Sequence, residues 1–183
     1  GHPNLHAVDG HARGEVGQGA HTVFVLFAAH ALGLPIDLVE LVPSDTATSL
    51  NSGSVSASRM TFMAGNAIKG AAALALQKWQ QEERPAIADY KYFAPETSAF
   101  SPDTGKCMPN FAYGYVACAV ECAVDMETGK IEITKVYCSD DVGKAVNPML
   151  VEGQIEGALV QAGGYTLSEN FIQVEGKVLT DRL

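Results

Sequence analysis

With 183 residues, of which 47% are hydrophobic and 18% charged, the chain is long enough for one folded domain with a sizeable core. Its net charge of −9 excludes a partner held mainly by a basic footprint, so neither nucleic acid nor an anionic membrane surface is expected. The longest apolar stretch, residues 23–34, is interrupted by His30 and Gly33 and is too short to span a bilayer.

Residues 7–13 read as a short strand, and Gly14-Glu15-Val16-Gly17-Gln18-Gly19 follows as a glycine-rich turn. Residues 20–32 are dense in Ala, Val, Phe and Leu, and their length predicts a helix ended by Gly33 and Pro35. Residues 37–42 alternate as a short strand. Residues 43–61, rich in Ser, Thr, Asn and Gly, predict a long loop of the kind that carries function. Ala64, Ala67, Ile68, Ala71, Ala72, Leu74, Ala75 and Trp79 recur at helical spacing, which predicts a helix over 62–80. Pro85, Pro95, Pro102 and Pro109 mark 81–110 as an irregular connection.

Beyond it, Val116, Cys118, Val120, Cys122 and Val124 alternate onto one face of a strand over 111–126. Glu127-Thr128-Gly129-Lys130 is a hairpin turn, and 131–138 is the returning strand. Asn147 and Pro148 are an N-cap and a first helical residue, opening a helix to about Glu169. Residues 171–179 form a final strand or hairpin. The order β-α-β-α-β-β-α-β is that of an α+β fold, with helices layered on mixed sheets. The chain is read as one piece, residues 1–183, with sub-parts 1–80 and 111–183 joined through 81–110. No internal repeat is evident. Gly1 is not an initiator residue, and the pattern stops just past the turn at Glu175-Gly176-Lys177, so both ends are read as cut.

The four cysteines form no CxxC pair. They lack the spacing of an iron–sulfur or structural zinc site, and buried reduced thiols are expected. His2 and His6 stand four apart, but Pro3 and the missing intervening glutamate argue against a helical metal pair.

Three segments could carry chemistry. In the first, residues 14–19, glycines let backbone N–H groups approach an anion at a helix start. It is neither a Walker loop nor a dinucleotide fingerprint, and a purely structural turn is the competing reading. In the second, residues 51–61, hydroxyls, backbone donors and Arg59 converge beside the next helix, as they do around a phosphate or a polar heterocycle. The plainer alternative there is a polar loop capped by Ser58 or Thr61. The third is Asp140-Asp141-Val142-Gly143, then Asn147-Pro148 and Glu152-Gly153-Gln154. On its helix, Gln154, Gly157, Ala158 and Gln161 share one face, too polar and too small to be a core face. It suits close approach of another backbone or a large polar ligand, or else glutamines satisfied by neighbouring loops.

Taken together and in this order, the segments resemble the C-terminal half of the large subunit of the molybdenum hydroxylases, the xanthine dehydrogenase, aldehyde oxidoreductase and carbon monoxide dehydrogenase family. The matching residues are Gly17-Gln18-Gly19, Ala57-Ser58-Arg59 with Met63-Ala64-Gly65-Asn66-Ala67, Asp141, Gly143, Asn147-Pro148, Glu152-Gly153-Gln154 and Val160-Gln161. The resemblance covers nearly the whole chain and is weakest over 81–110.

It implies a molybdenum ion held by the dithiolene of a molybdopterin, and leaves the cytosine dinucleotide form open. The implied chemistry is hydroxylation of aldehydes, purines or N-heterocycles with oxygen from water, or oxidation of carbon monoxide. Gly17, Gln18, Gly19, Ala57, Ser58, Arg59, Thr61 and Gln161 become the cofactor-binding candidates, with Gln18 and Gln161 near the molybdenum ligands and no direct metal ligand. The implied partners are the remaining half of the large subunit, iron–sulfur (2Fe-2S) and flavin (FAD) domains or subunits, and a small-molecule substrate, in the cytoplasm.

The family's general-base glutamate, in a Gly-x-Gly-Glu segment near the C-terminus, has no counterpart among these residues, so no catalytic residue is assigned. The piece alone is expected to be inactive, to hold little or no cofactor and to self-associate through exposed apolar surface. The competing class is a non-catalytic module that holds a nucleotide-like ligand or packs in an assembly.

Overall fold

A computed structural model describes residues 11–12, 15–42, 45, 47, 50–51 and 53–180. Its helices and small sheets are of the α+β class. The chain divides into two units, Gly1–Phe111 and Ala112–Leu183, each described here by itself.

Unit 1 is built from two similar passages laid side by side. Strand β1 (His11–Ala12) leads through the glycine-rich turn into helix α1 (Ala20–Leu32). Strand β2 (Leu50–Asn51) leads through the serine-rich loop into helix α2 (Arg59–Gln80). The strands pair in parallel, His11 with Leu50 and Ala12 with Asn51. Two β-loop-α passages with parallel strands run their helices the same way, and the core shows it. Phe24, Met60 and Ala64 are buried together, with Ala20, Phe27 and Ile68 packed against them. The first turns of α1 thus meet the first turns of α2. Gly65 allows this approach, because a Cβ there would stand 2.9 Å from the Phe27 ring.

The ends of α1 follow from its flanking glycines. Gly19 (φ 79°) and Gly33 (φ 65°) both take the left-handed conformation that side chains disfavour, and the Gly33 N–H closes on the Ala29 and His30 carbonyls. Helix α2 begins at Arg59, three residues before the start expected from its apolar spacing. Met60 is the reason, since it faces the core at 5% exposure.

The strand expected over 37–42 is absent. Pro35 instead opens a 3-10 turn over Ile36–Leu38, and 39–42 carry no strand. The second strand lies later, inside the segment read as loop. Of the strand expected over 7–13, residues 7–10 and 13 lie outside the described residues.

The irregular segment from 81 onward is strapped along α2. Ala86 is 1% exposed, the Tyr90 ring fills the space beside Gly70, and Phe62 meets Tyr92 and Phe111 edge to face or tilted. Lys78 Nζ donates to the Ile87 carbonyl at 2.7 Å, and the Arg84 guanidinium lies 3.2 Å over the Trp79 ring.

Unit 2 is a hairpin followed by a helix. Strand β3 (Tyr115–Val124) pairs antiparallel with β4 (Ile131–Asp141), and β4 runs three residues beyond the expected end at 138. Asp125 organises the turn by accepting from the Glu127 and Thr128 N–H groups, and Gly129 (φ 72°) completes it. The register slips between Glu121 and Cys122, leaving Thr134 as an extra residue whose hydroxyl donates to the Glu121 carbonyl. Helix α3 (Pro148–Leu167) is capped as expected, Asn147 accepting from the Leu150 N–H at 3.2 Å. A small hairpin, β5 (Gln173–Val174) with β6 (Lys177–Val178), follows.

None of the described residues of unit 2 is fully buried. Both faces of β3 are open, so its alternation marks no core among the described residues of unit 2. The expected burial of the cysteines fails: on the open hairpin Cys118 and Cys122 are exposed and Cys138 half-buried, and Cys107, in unit 1, is exposed as well.

Candidate functional site

The parallel pairing of β1 with β2 decides the geometry of unit 1. In such an arrangement both connecting loops leave from the carboxyl ends of the strands, where open α/β layers collect ligands. The two loops here are the turn carrying Gly17, Gln18 and Gly19 and the loop ending in Ala57, Ser58 and Arg59. Each opens a helix, and the two helices pack through their first turns. The fold therefore gathers these candidates at one end of one helix pair, with two positive helix termini alongside.

In the first loop a residue that sequence reasoning passed over takes the leading part. Glu15 Oε1 accepts from the Gly17 N–H (2.9 Å) and the Gly19 N–H (3.0 Å), and Oε2 accepts from the His21 N–H (3.1 Å). Its carboxylate caps α1 from outside the helix. Partial burial raises the Glu15 pKa, but hydrogen bonds from His21, Gly19 and Gly17, with the nearby His21 charge, outweigh it and hold the carboxyl below its ordinary range. Gln18 turns its side-chain carbonyl to the Val16 N–H at 2.7 Å. An acid just ahead of a glycine turn at a helix start was the available signal for Glu15.

This geometry makes a stability prediction. A carboxyl with a depressed folded-state pKa contributes stability above its unfolded value, and that contribution is lost as the pH falls through the folded value. Glu15→Ala is expected to cost about 0.5–2 kcal/mol at pH 7, the range for a lost helix cap, or roughly 2–8 °C in Tm. The difference between wild type and variant should shrink as the pH falls below the ordinary carboxyl value of 4.5. Thermal melts at pH 7 and below 4 check this; equal melts at pH 7 would remove Glu15 from the helix end.

In the second loop Ala57 adopts φ 48°, a left-handed turn that an alanine takes only when its surroundings impose it. Ser58 is the residue before α2 and makes no capping hydrogen bond with its side chain. The Arg59 guanidinium folds back over the loop: Nη1 donates to the Ser54 carbonyl at 2.9 Å and approaches Met60 Sδ at 3.6 Å. Gly53 (φ 77°) leaves room for it, since a Cβ there would stand 3.4 Å from Nη2. Thr61 lies exposed in the first turn of α2.

Gln161 belongs to unit 2. On α3 it shares an exposed face with Gln154, Gly157 and Ala158, while Val151, Ile155 and Leu159 form a half-buried stripe. Among the described residues no group of three His, Cys, Asp or Glu side chains could hold a metal ion, and no helix is long and apolar enough to cross a membrane.

The sequence profile of the molybdopterin cofactor-binding domain matches residues 10–90 and 73–183, so the chain belongs to that family. Its relatives include the probable hypoxanthine oxidase of Escherichia coli K12, 33% identical over 91% of this chain and 20% of the relative. The xanthine dehydrogenase/oxidase of Mus musculus is 30% identical over 93% of this chain and 14% of its own length. Among solved structures, the aldehyde oxidoreductase of Desulfovibrio gigas superposes with a TM-score of 0.79 at 28% identity, covering 90% of this chain and 20% of that one. That of Desulfovibrio desulfuricans gives 0.74 at 32% identity, over 86% and 19%. The chain thus spans a fifth or less of the length of these relatives.

Proposed function

We propose that this chain supplies one wall of the molybdopterin site in the large subunit of a molybdenum-dependent hydroxylase. The carrying observation is the pairing of two loop-to-helix openings, Gly17-Gln18-Gly19 and Ala57-Ser58-Arg59, at one end of the α1–α2 pair. Their chemistry suits the group. A molybdopterin offers a phosphate, a polar heterocycle and oxo ligands, all of which accept hydrogen bonds. Against these stand a guanidinium, the Ser58 and Thr61 hydroxyls, the Gln18 amide and two helix termini.

Arg59, Ser58, Thr61 and the Ala57 backbone would hold the phosphate and pterin. Gln18, between its two glycines, would reach toward the metal's ligands. When bound, the group supplies two-electron oxidation of a carbon centre with oxygen taken from water. The protein residues hold and orient it. Glu15, already engaged with Gly17, Gly19 and His21, keeps the first loop in shape.

The remainder of the subunit would complete the site and cover the apolar residues of α3 and the segment after it, where Met149, Val160, Tyr165 and Phe171 are each more than 70% exposed. Iron–sulfur and flavin domains or subunits would carry the electrons away, and the whole would work in the cytoplasm on an aldehyde, a purine, an N-heterocycle or carbon monoxide. Without a Gly-x-Gly-Glu segment, residues 1–183 are expected to show no turnover alone and to self-associate through the open face of unit 2. The test is elemental and pterin analysis of the complete subunit made in cells that synthesise the cofactor. About one molybdenum per chain is expected; neither molybdenum nor pterin would leave a non-catalytic module as the reading.

A further inference from the structure

Cys118 and Cys138 are direct register partners in the β3–β4 ladder. Side chains of directly opposed residues leave an antiparallel pair on the same side, and their Cα atoms stand roughly 4.5–5.5 Å apart. That spacing lies inside the span of roughly 4.4–6.8 Å that a disulfide accepts. Both thiols are free, and Cys118 is exposed. Cys118 lies close enough to bear on the Cys138 thiol. Cys138 Sγ also donates to Asp140 Oδ2 at 3.0 Å. That hydrogen bond, partial burial and the Asp140 and Cys118 charges push the Cys138 thiol up to about 11. Cys122, on the same strand, faces Ile133 and has no thiol opposite.

We propose that Cys118 and Cys138 are a dithiol pair that a peroxide closes into a disulfide across the hairpin. The exposed Cys118 sulfur attacks hydrogen peroxide, giving a sulfenic acid and one water. Cys138 then attacks that sulfur and the S–S bond forms. Its proton passes by way of Asp140 to the departing hydroxide, which leaves as a second water. Two thiols lose two electrons and two protons, and one peroxide becomes two waters. The pair sits on the fourth rung from the open end of the ladder, where Tyr115 meets Asp141. Closure therefore fixes the register just before the turn at Asp141 to Gly143 that leads into α3. It also closes a loop of about 20 residues, which should raise the melting temperature of the oxidised chain by several degrees.

The experiment treats the reduced complete subunit with one equivalent of hydrogen peroxide, followed by peptide mapping without reductant. The expected result is one linked peptide joining Cys118 to Cys138, lighter by two hydrogens and released by dithiothreitol. Cys122→Ser should form it equally well. Cys138→Ser should leave a sulfenic acid at Cys118 that dimedone traps, and Cys118→Ser should form no intrachain link. Both replacements are near-isosteric at sites that are not fully buried, and circular dichroism verifies their fold. Wild-type chain in which the two sulfurs oxidise separately, or join Cys107 or Cys122 instead, would overturn the proposal.

Discussion

Phe24→Ala is expected to cost about 3–5 kcal/mol, the range for removing a buried aromatic from a packed core. Phe24 is 3% exposed and, among the described residues, the only large aromatic that is buried; its buried companions there are Met60 and a set of alanines. Alanines contribute little area apiece, so the contact between α1 and α2 rests on this ring and on Met60. Against a typical total of roughly 5–15 kcal/mol, the loss is a large fraction of the stability of unit 1. Trp79 lies in the same unit, beneath Arg84, and its fluorescence reports that unit's unfolding. Urea titration should show the midpoint collapse for Phe24→Ala, while Phe24→Leu, which keeps most of the volume, should cost under about 1.5 kcal/mol. A loss below about 1 kcal/mol for alanine would mean that the helices are held together elsewhere.

Those same residues show what the sequence makes legible. The bounds of α1 could be read because Gly19 and Gly33 both need positive φ, and the start of α3 because Asn147-Pro148 is a local capping signal. The α+β class followed from elements of this kind. Pairing over distance is different. Strands β1 and β2 are two residues each, too short for a period, and nothing local says that His11 meets Leu50. The doubled β-loop-α passage is therefore visible only in three dimensions, although the ingredients of the proposed site, a glycine turn and a Ser-Arg loop before two helices, stand plainly in the sequence.

The missed elements have physical reasons. Over 37–42 the alternation of apolar residues is the same for a strand and for a 3-10 turn followed by extended chain, and Pro35 tips the choice. The alternation of β3 predicted a covered face, but among the described residues of unit 2 both its faces stay open, and Cys118 and Cys122 lie exposed. Segment 81–110 shows no period because it stays largely exposed, and Tyr90 and Tyr92 meet α2 singly, at Gly70 and Phe62, rather than through a repeat.

Replacing Arg59 tests the proposed cofactor wall most directly. The loop over 53–58 and the side chain are fitted to each other: Gly53 yields the space, Ser54 fixes Nη1, and the backbone turns through the strained Ala57 to begin α2 at Arg59 itself. A guanidinium so placed at a helix N-terminus is suited to a phosphate, which its planar fork can meet with two parallel hydrogen bonds. A hydrogen bond to a charged group contributes about 1.5–3 kcal/mol, roughly 10- to 150-fold in affinity. Arg59→Ala in the complete subunit is therefore expected to lower bound molybdenum and pterin at limiting cofactor by at least tenfold. Arg59→Lys should recover only part, since an ammonium keeps the charge without the fork. Because Arg59 also braces its own loop, the variants must be compared at equal folded content by circular dichroism. An alanine variant that folds and still takes up the full complement of molybdenum, with the pterin released no faster, would remove Arg59 from the cofactor site and leave it a role in the loop alone.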